Sequence, residues 1–139
     1  MILLDTNVVS EPLRRMPEGR VITWIDAQSS ETLFMATMTV AELRAGVALL
    51  PLGKRRAALR EEIETRVLPM FIGRVLPFDM ACTVAYAELV ARTRAAGRPI
   101  ETAAACIAAV AVANGLTVAT CDTEPFLAAG VRVVDPWEA

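Results

Sequence analysis

Histidine is absent from this chain. That removes Ser-His-Asp and Cys-His catalysis and every histidine-ligated metal site. Lysine is nearly absent too. Lys54 stands alone, and the other positive residues are arginines, whose planar forks suit phosphate and carboxylate. The three cysteines, Cys82, Cys106 and Cys121, are odd in number and show no metal-ligand spacing; they read as reduced, cytosolic residues that pack in the core. No apolar run is long enough to span a bilayer, and the first residues lack the basic and apolar regions of an export signal. A phosphate-cradling G-x-x-x-x-G-K loop is missing, as are a linker, a low-complexity tract and a solenoid repeat. A net charge of −2 argues against a basic protein that coats nucleic acid. If the chain is an enzyme, carboxylates are its working groups, and a hard cation such as Mg²⁺ or Mn²⁺ goes with them.

What is present fits one domain over residues 1–139, with 55 % hydrophobic residues to fill a core. Strand-like and helix-like segments alternate, which predicts an α/β domain with a mostly parallel sheet. Strands are expected at Ile2–Leu4, Thr32–Ala36, Arg74–Phe78, Leu116–Thr120 and Val131–Val134. Pro77 cannot donate to a ladder, so the third strand belongs at an edge. Helices are expected at Asn7–Leu13, Val21–Ala27, Thr39–Leu49, Lys54–Val67, Asp79–Arg94 and Ala103–Ala113. Val40, Leu43, Val47 and Leu50 form the apolar stripe of the third helix. Thr102 is the expected cap of the alanine-rich helix, which Asn114-Gly115 ends.

Asp-Thr occurs twice after an apolar segment, in MILLDTN and in TVATCDT. In an open parallel sheet, ligands gather beyond the carboxyl ends of the strands, where strand order reverses. If the first and fourth strands are neighbours, Asp5 and Asp122 share that rim. Each aspartate also precedes a helix, where it would serve as an N-cap, and the local pattern leaves both readings open. Glu42 lies in T-V-A-E, a capping-box pattern with Thr39 as N-cap and Glu42 at N3. Other aspartate chemistries fail on the text. A phosphoaspartate phosphatase wants a second aspartate where Asn7 stands. A response-regulator receiver wants an acidic pair and a late lysine, and neither is present.

Six segments, MILLDTNVVSEPL, TVAELRAGVALLPLGKRR, GRVLPFD, RAAGRPIET, NGLTVATCDT and VVDPW, occur in this order along essentially the whole chain. Together they resemble the PIN-domain ribonucleases, and more narrowly the VapC/FitB-like toxins of type II toxin–antitoxin modules. The resemblance implies a parallel five-stranded sheet flanked by helices, with the first and fourth strands adjacent. It implies acids at the strand ends that bind Mg²⁺ or Mn²⁺ and cut RNA. By position, Asp5, Glu42 and Asp122 match three of those acids, with Asp5 the central ligand. The fourth family acid lies in the first turn of the alanine-rich helix, and here that position is Ala104. Glu101 lies one turn earlier and is the candidate substitute, on a longer side chain at a different helix position.

The resemblance also implies partners. The expected one is a small antitoxin with a ribbon-helix-helix DNA-binding half and a tail that lies in a groove on the toxin. Operator DNA is bound only through that antitoxin, and the toxin is a cytoplasmic homodimer. Met16, Trp24, Leu50 and Leu52 are candidate groove residues or ordinary core residues, and Trp24 reads better as core. The rival reading keeps these partners but not the chemistry: with Ala104 in place of an acid, the chain pairs with its antitoxin and no longer cuts RNA.

Overall fold

A computed structural model describes all 139 residues. Strand β1 (Ile2–Leu4) leads into the short helix α1 (Thr6–Ser10), then α2 (Gly19–Ala27), β2 (Leu33–Ala36) and α3 (Thr37–Ala48). Helix α4 (Lys54–Glu62) continues through a π turn and a 3₁₀ turn to Phe71. Strand β3 (Val75–Leu76), α5 (Met80–Ala95), α6 (Thr102–Asn114), β4 (Thr117–Ala119), α7 (Thr123–Ala128) and β5 (Val133–Val134) complete the chain.

The five strands form one sheet in the order β3-β2-β1-β4-β5, with every neighbouring pair parallel. Successive side chains of a strand point to opposite faces, and each face is covered by helices. Leu3, Ala36 and Val118 enter one apolar cluster with residues of α5, α6 and α7. Their chain neighbours Leu4, Met35 and Ala119 enter the other, with residues of α1, α3 and the segment after α4. Strands buried on both faces are the usual condition of a parallel sheet, and they explain why the predicted strands read as short unbroken apolar runs.

The expected adjacency holds: Leu3 registers with Val118 and Leu4 with Ala119. The chain builds outward from β1 to β2 and β3, then returns to place β4 and β5 on the other side. Strand order therefore reverses between β1 and β4. Strand β3 is at the edge, as Pro77 requires, but it pairs over only two residues.

Several boundaries differ from the sequence reading. The helix after β1 is α-helical only to Ser10, and Glu11–Leu13 tighten into a 3₁₀ turn with Pro12 in its first positions. Glu101, not Thr102, is the N-cap of α6. That helix stops as expected at Gly115, whose φ of 66° is the left-handed conformation glycine adopts at least cost. Helix α3 starts two residues before Thr39, with Ala36 as N-cap. The expected capping box is therefore wrong: Thr39 is fully buried inside the helix, and Glu42 is turned to another partner.

Candidate metal centre at the carboxyl rim

The reversal point between β1 and β4 carries the polar residues predicted to do chemistry. Asp5 follows β1 directly, and its backbone N–H donates to the Ala119 carbonyl at 2.9 Å, extending the ladder by one bond. Its carboxylate is only 9 % exposed and accepts three hydrogen bonds. The Thr6 N–H donates to Oδ1 at 2.8 Å. The Thr120 hydroxyl and the Asn7 amide donate to Oδ2 at 2.8 and 3.1 Å. The two readings of Asp5 hold together, since it caps α1 and stands at the strand-end rim.

Glu42 lies in the second turn of α3 and reaches across to α1. The Thr6 hydroxyl donates to its Oε1 at 2.6 Å, and the same hydroxyl lies 3.3 Å from that of buried Thr39. Thr6 thus joins two of the predicted acids, through its N–H to Asp5 and its hydroxyl to Glu42. Asp122 follows β4 by three residues and is exposed. It holds the N-cap position of α7, yet its carboxylate caps nothing. Its backbone N–H donates instead to the Thr120 hydroxyl at 3.0 Å, which fixes the turn that carries Asp122. Asn7 closes the frame by accepting from the Cys121 N–H at 3.4 Å.

Thr6, Asn7, Thr39 and Thr120 were not among the predicted site residues. The available signal was Thr120 itself, a hydroxyl ending the apolar run L-T-V-A. Cys121 is also misplaced by the core reading: it is exposed on this rim, while Cys82 is buried and Cys106 half-buried.

The rim is acidic, and its charges act on one another. Burial pushes the Asp5 carboxyl above its ordinary value, and the nearby charges of Glu42 and Asp122 push it further, against the hydrogen bonds from Thr120 and Thr6. None of the molecule's four ion pairs includes Asp5, Glu42 or Asp122. The three acids on this rim offer oxygen ligands, the chemistry that Mg²⁺ or Mn²⁺ takes. Asp5, Glu42 and Asp122 are not drawn close enough to form a three-ligand cluster that would hold a metal ion by itself. Mg²⁺ fits such an open arrangement, because it binds through one or two carboxylates and keeps several waters.

The α6 positions differ from one another. Ala104 is half-buried and packs against the apolar cluster beneath the sheet. Glu101 is exposed, and its side chain makes no capping bond. A further concavity lies elsewhere. It is an apolar cleft of about 500 Å³, lined in part by Leu4, Val9, Leu13, Ile25 and Phe71 and edged by Arg66 and Arg74. The groove residues read from sequence do not line it. Trp24 is half-buried against the core, while Met16 and Leu52 stand 87 and 88 % exposed on separate turns.

Comparison with known proteins agrees with this architecture. The PIN domain family model matches residues 2–131. The plasmid stability protein StbB of Pseudomonas syringae pv. tomato is 66 % identical over 100 % of both chains. The VapC ribonuclease Y4jK of Sinorhizobium fredii is 51 % identical over 99 % of both. Among solved structures, FitAB bound to an IR36 DNA fragment superimposes with a TM-score of 0.95 at 47 % identity, covering 99 % of this chain and 96 % of that one. On this shared sequence and fold, the chain belongs to the PIN domain family, in its VapC/FitB-like toxin group.

Proposed function

We propose that this chain is a Mg²⁺- or Mn²⁺-dependent RNA endonuclease, the toxin half of a type II toxin–antitoxin module. The observation that carries the reading is the buried Asp5 carboxylate. It stands beside two further acids at the β1/β4 reversal and has no cationic side chain paired to it. Asp5, Glu42 and Asp122 would hold the ion. When bound, a divalent ion lowers the pKa of an attacking water and neutralises charge that builds on a phosphate. The protein's own contribution is positioning. Thr120 and the Thr6 N–H fix the two Asp5 oxygens, and the Thr6 hydroxyl orients Glu42. The turn held by Thr120 carries Asp122 at the open side of the rim, where a strand of RNA has access.

A relative named as a ribonuclease supports the reaction class. The FitAB structure bound to an IR36 DNA fragment supports a partner chain and a DNA-bound assembly, and the DNA is proposed to be an operator held by the partner. The partner proposed is an antitoxin with a ribbon-helix-helix half, on a cytoplasmic toxin homodimer, and the apolar cleft of about 500 Å³ is the proposed seat of its tail. No helix is long and apolar enough to cross a membrane.

Ala104 favours a second reading. An alanine there brings no carboxylate to the rim, and Glu101 is exposed without a bond that would aim it. On that reading the chain pairs with its antitoxin and does not cleave. Incubation of the purified chain with a structured RNA and Mn²⁺, with and without EDTA, separates the two. Cleavage that EDTA stops supports the enzyme. Intact RNA at stoichiometric protein supports the binding protein.

A further inference from the structure

A second charged feature lies on the far side of α3 from Glu42. Between Leu43 and Arg60 the chain carries Arg44, Lys54, Arg55, Arg56 and Arg60 and no acid, in a protein of net charge −2. Three of these arginines, Arg44, Arg56 and Arg60, line one cleft of about 510 Å³ between α3 and α4, with Val47 and Ile63 among its lining residues. Arg44 is committed: its guanidinium makes a two-pronged pair with Glu64, at 3.1 and 2.9 Å. Glu64, in turn, is the only acid lining this cleft. Arg56 and Arg60 make no ion pair and no side-chain hydrogen bond, and Arg56 is half-buried. Four residues apart on one helix, they face the same way, about 6 Å apart along the axis. Two guanidinium groups lining one concave surface suit successive anionic groups of a polyanion.

We infer that the Arg56–Arg60 cleft binds backbone phosphates of single-stranded RNA flanking the bond at the acid rim. This rests on the ribonuclease reading for the identity of the polyanion. The link to the rim is α3 itself. Glu42 stands at the rim, and the cleft residues Arg44 to Ala48 follow within about 3 to 9 Å along the helix axis. A strand leaving the rim crosses α3 over Ala41 and Ala45, whose small, exposed side chains leave room for it. Glu64, the cleft's one acid, is already paired with Arg44, and the two arginines left along α4 suit a repeating phosphate chain better than an isolated carboxylate of a protein partner.

The test is fluorescence anisotropy of a labelled, mixed-sequence single-stranded RNA 20-mer against the full chain in EDTA, repeated over a range of salt. R56A/R60A should bind about tenfold more weakly. Its salt slope should fall by about 1.4, since each phosphate contact to a single strand contributes about 0.7. R56K/R60K keeps both charges and should retain most of the slope. An R56A/R60A affinity and slope equal to the parent's, with the fold intact by circular dichroism, would overturn the inference. So would an absence of RNA binding by the parent chain, or binding of a polyglutamate peptide alone that R56A/R60A loses. The outcomes are separable from the ribonuclease reading. Binding lost in R56A/R60A by a chain that never cleaves with Mn²⁺ upholds the cleft and rejects the enzyme; cleavage with unaltered binding does the reverse.

Discussion

The Thr6 hydroxyl donates to Glu42 Oε1 across 2.6 Å, tying the residue after Asp5 to the middle of α3. The same residue's N–H holds Asp5 Oδ1. One threonine therefore sets the relative position of two acids that lie 37 residues apart in the chain. Thr6→Val removes the hydroxyl and keeps the N–H and the shape. It should cost about 1 kcal/mol of stability, read as a lower urea midpoint. Divalent-ion affinity should fall with it, while Glu42→Gln, which still accepts from Thr6, loses ion affinity with little change in stability. A Thr6→Val chain with unchanged ion binding would show that Glu42 needs no such positioning.

Asp5 gives a pH signature. Burial raises its pKa above the ordinary 3.8, so the folded chain holds this proton more tightly than the unfolded one. The stability from protonated Asp5 is full below 3.8 and is lost as pH rises through the higher folded value. Asp5→Asn cannot ionise and keeps one acceptor oxygen in place of two, so in EDTA it loses a fixed amount from the bonds it cannot accept, while its melting temperature relative to the parent should rise as pH rises from about 4 towards 7. Added Mn²⁺ should raise the melting temperature of the parent by mass action and leave Asp5→Asn unmoved. A melting temperature of Asp5→Asn that Mn²⁺ raises as much as the parent's would mean that the carboxylate serves the fold alone.

Thr120 is fully buried, and its hydroxyl both donates to Asp5 and accepts from the Asp122 N–H. Thr120→Val conserves shape and leaves these partners unmet, at a cost of about 1–3 kcal/mol. Thr120→Ser should recover most of it. Thermal melts of the two variants check the claim, and equal stability for both would contradict it.

The sheet was legible because its strands are buried on both faces and so read as apolar runs, and Pro77 placed β3 at the edge. The rim acids Asp5 and Asp122 followed from those strand ends. The family resemblance put Glu42 with them, but its local setting was misread, because T-V-A-E is a complete pattern for a capping box. The deciding contact came instead from Thr6, 36 positions away. Thr120 was missed for the same reason: its partner Asp5 is 115 residues distant, and no periodicity marks such a pair. Cys121 was assigned to the core by residue type, yet it falls in the turn after β4, where the chain leaves the sheet for solvent.

The most direct test restores the acid that position 104 lacks. Ala104→Asp places a carboxylate in the first turn of α6, where the positive helix end favours it. RNA cleavage at matched Mn²⁺ is then compared for Ala104→Asp, for Asp5→Asn in that background, and for the parent. A completed oxygen set should raise the rate of Ala104→Asp over the parent by roughly a hundredfold or more. Asp5→Asn or EDTA should abolish that cleavage. No cleavage by folded Ala104→Asp, or cleavage that survives Asp5→Asn, would contradict a metal-dependent nuclease centred on Asp5.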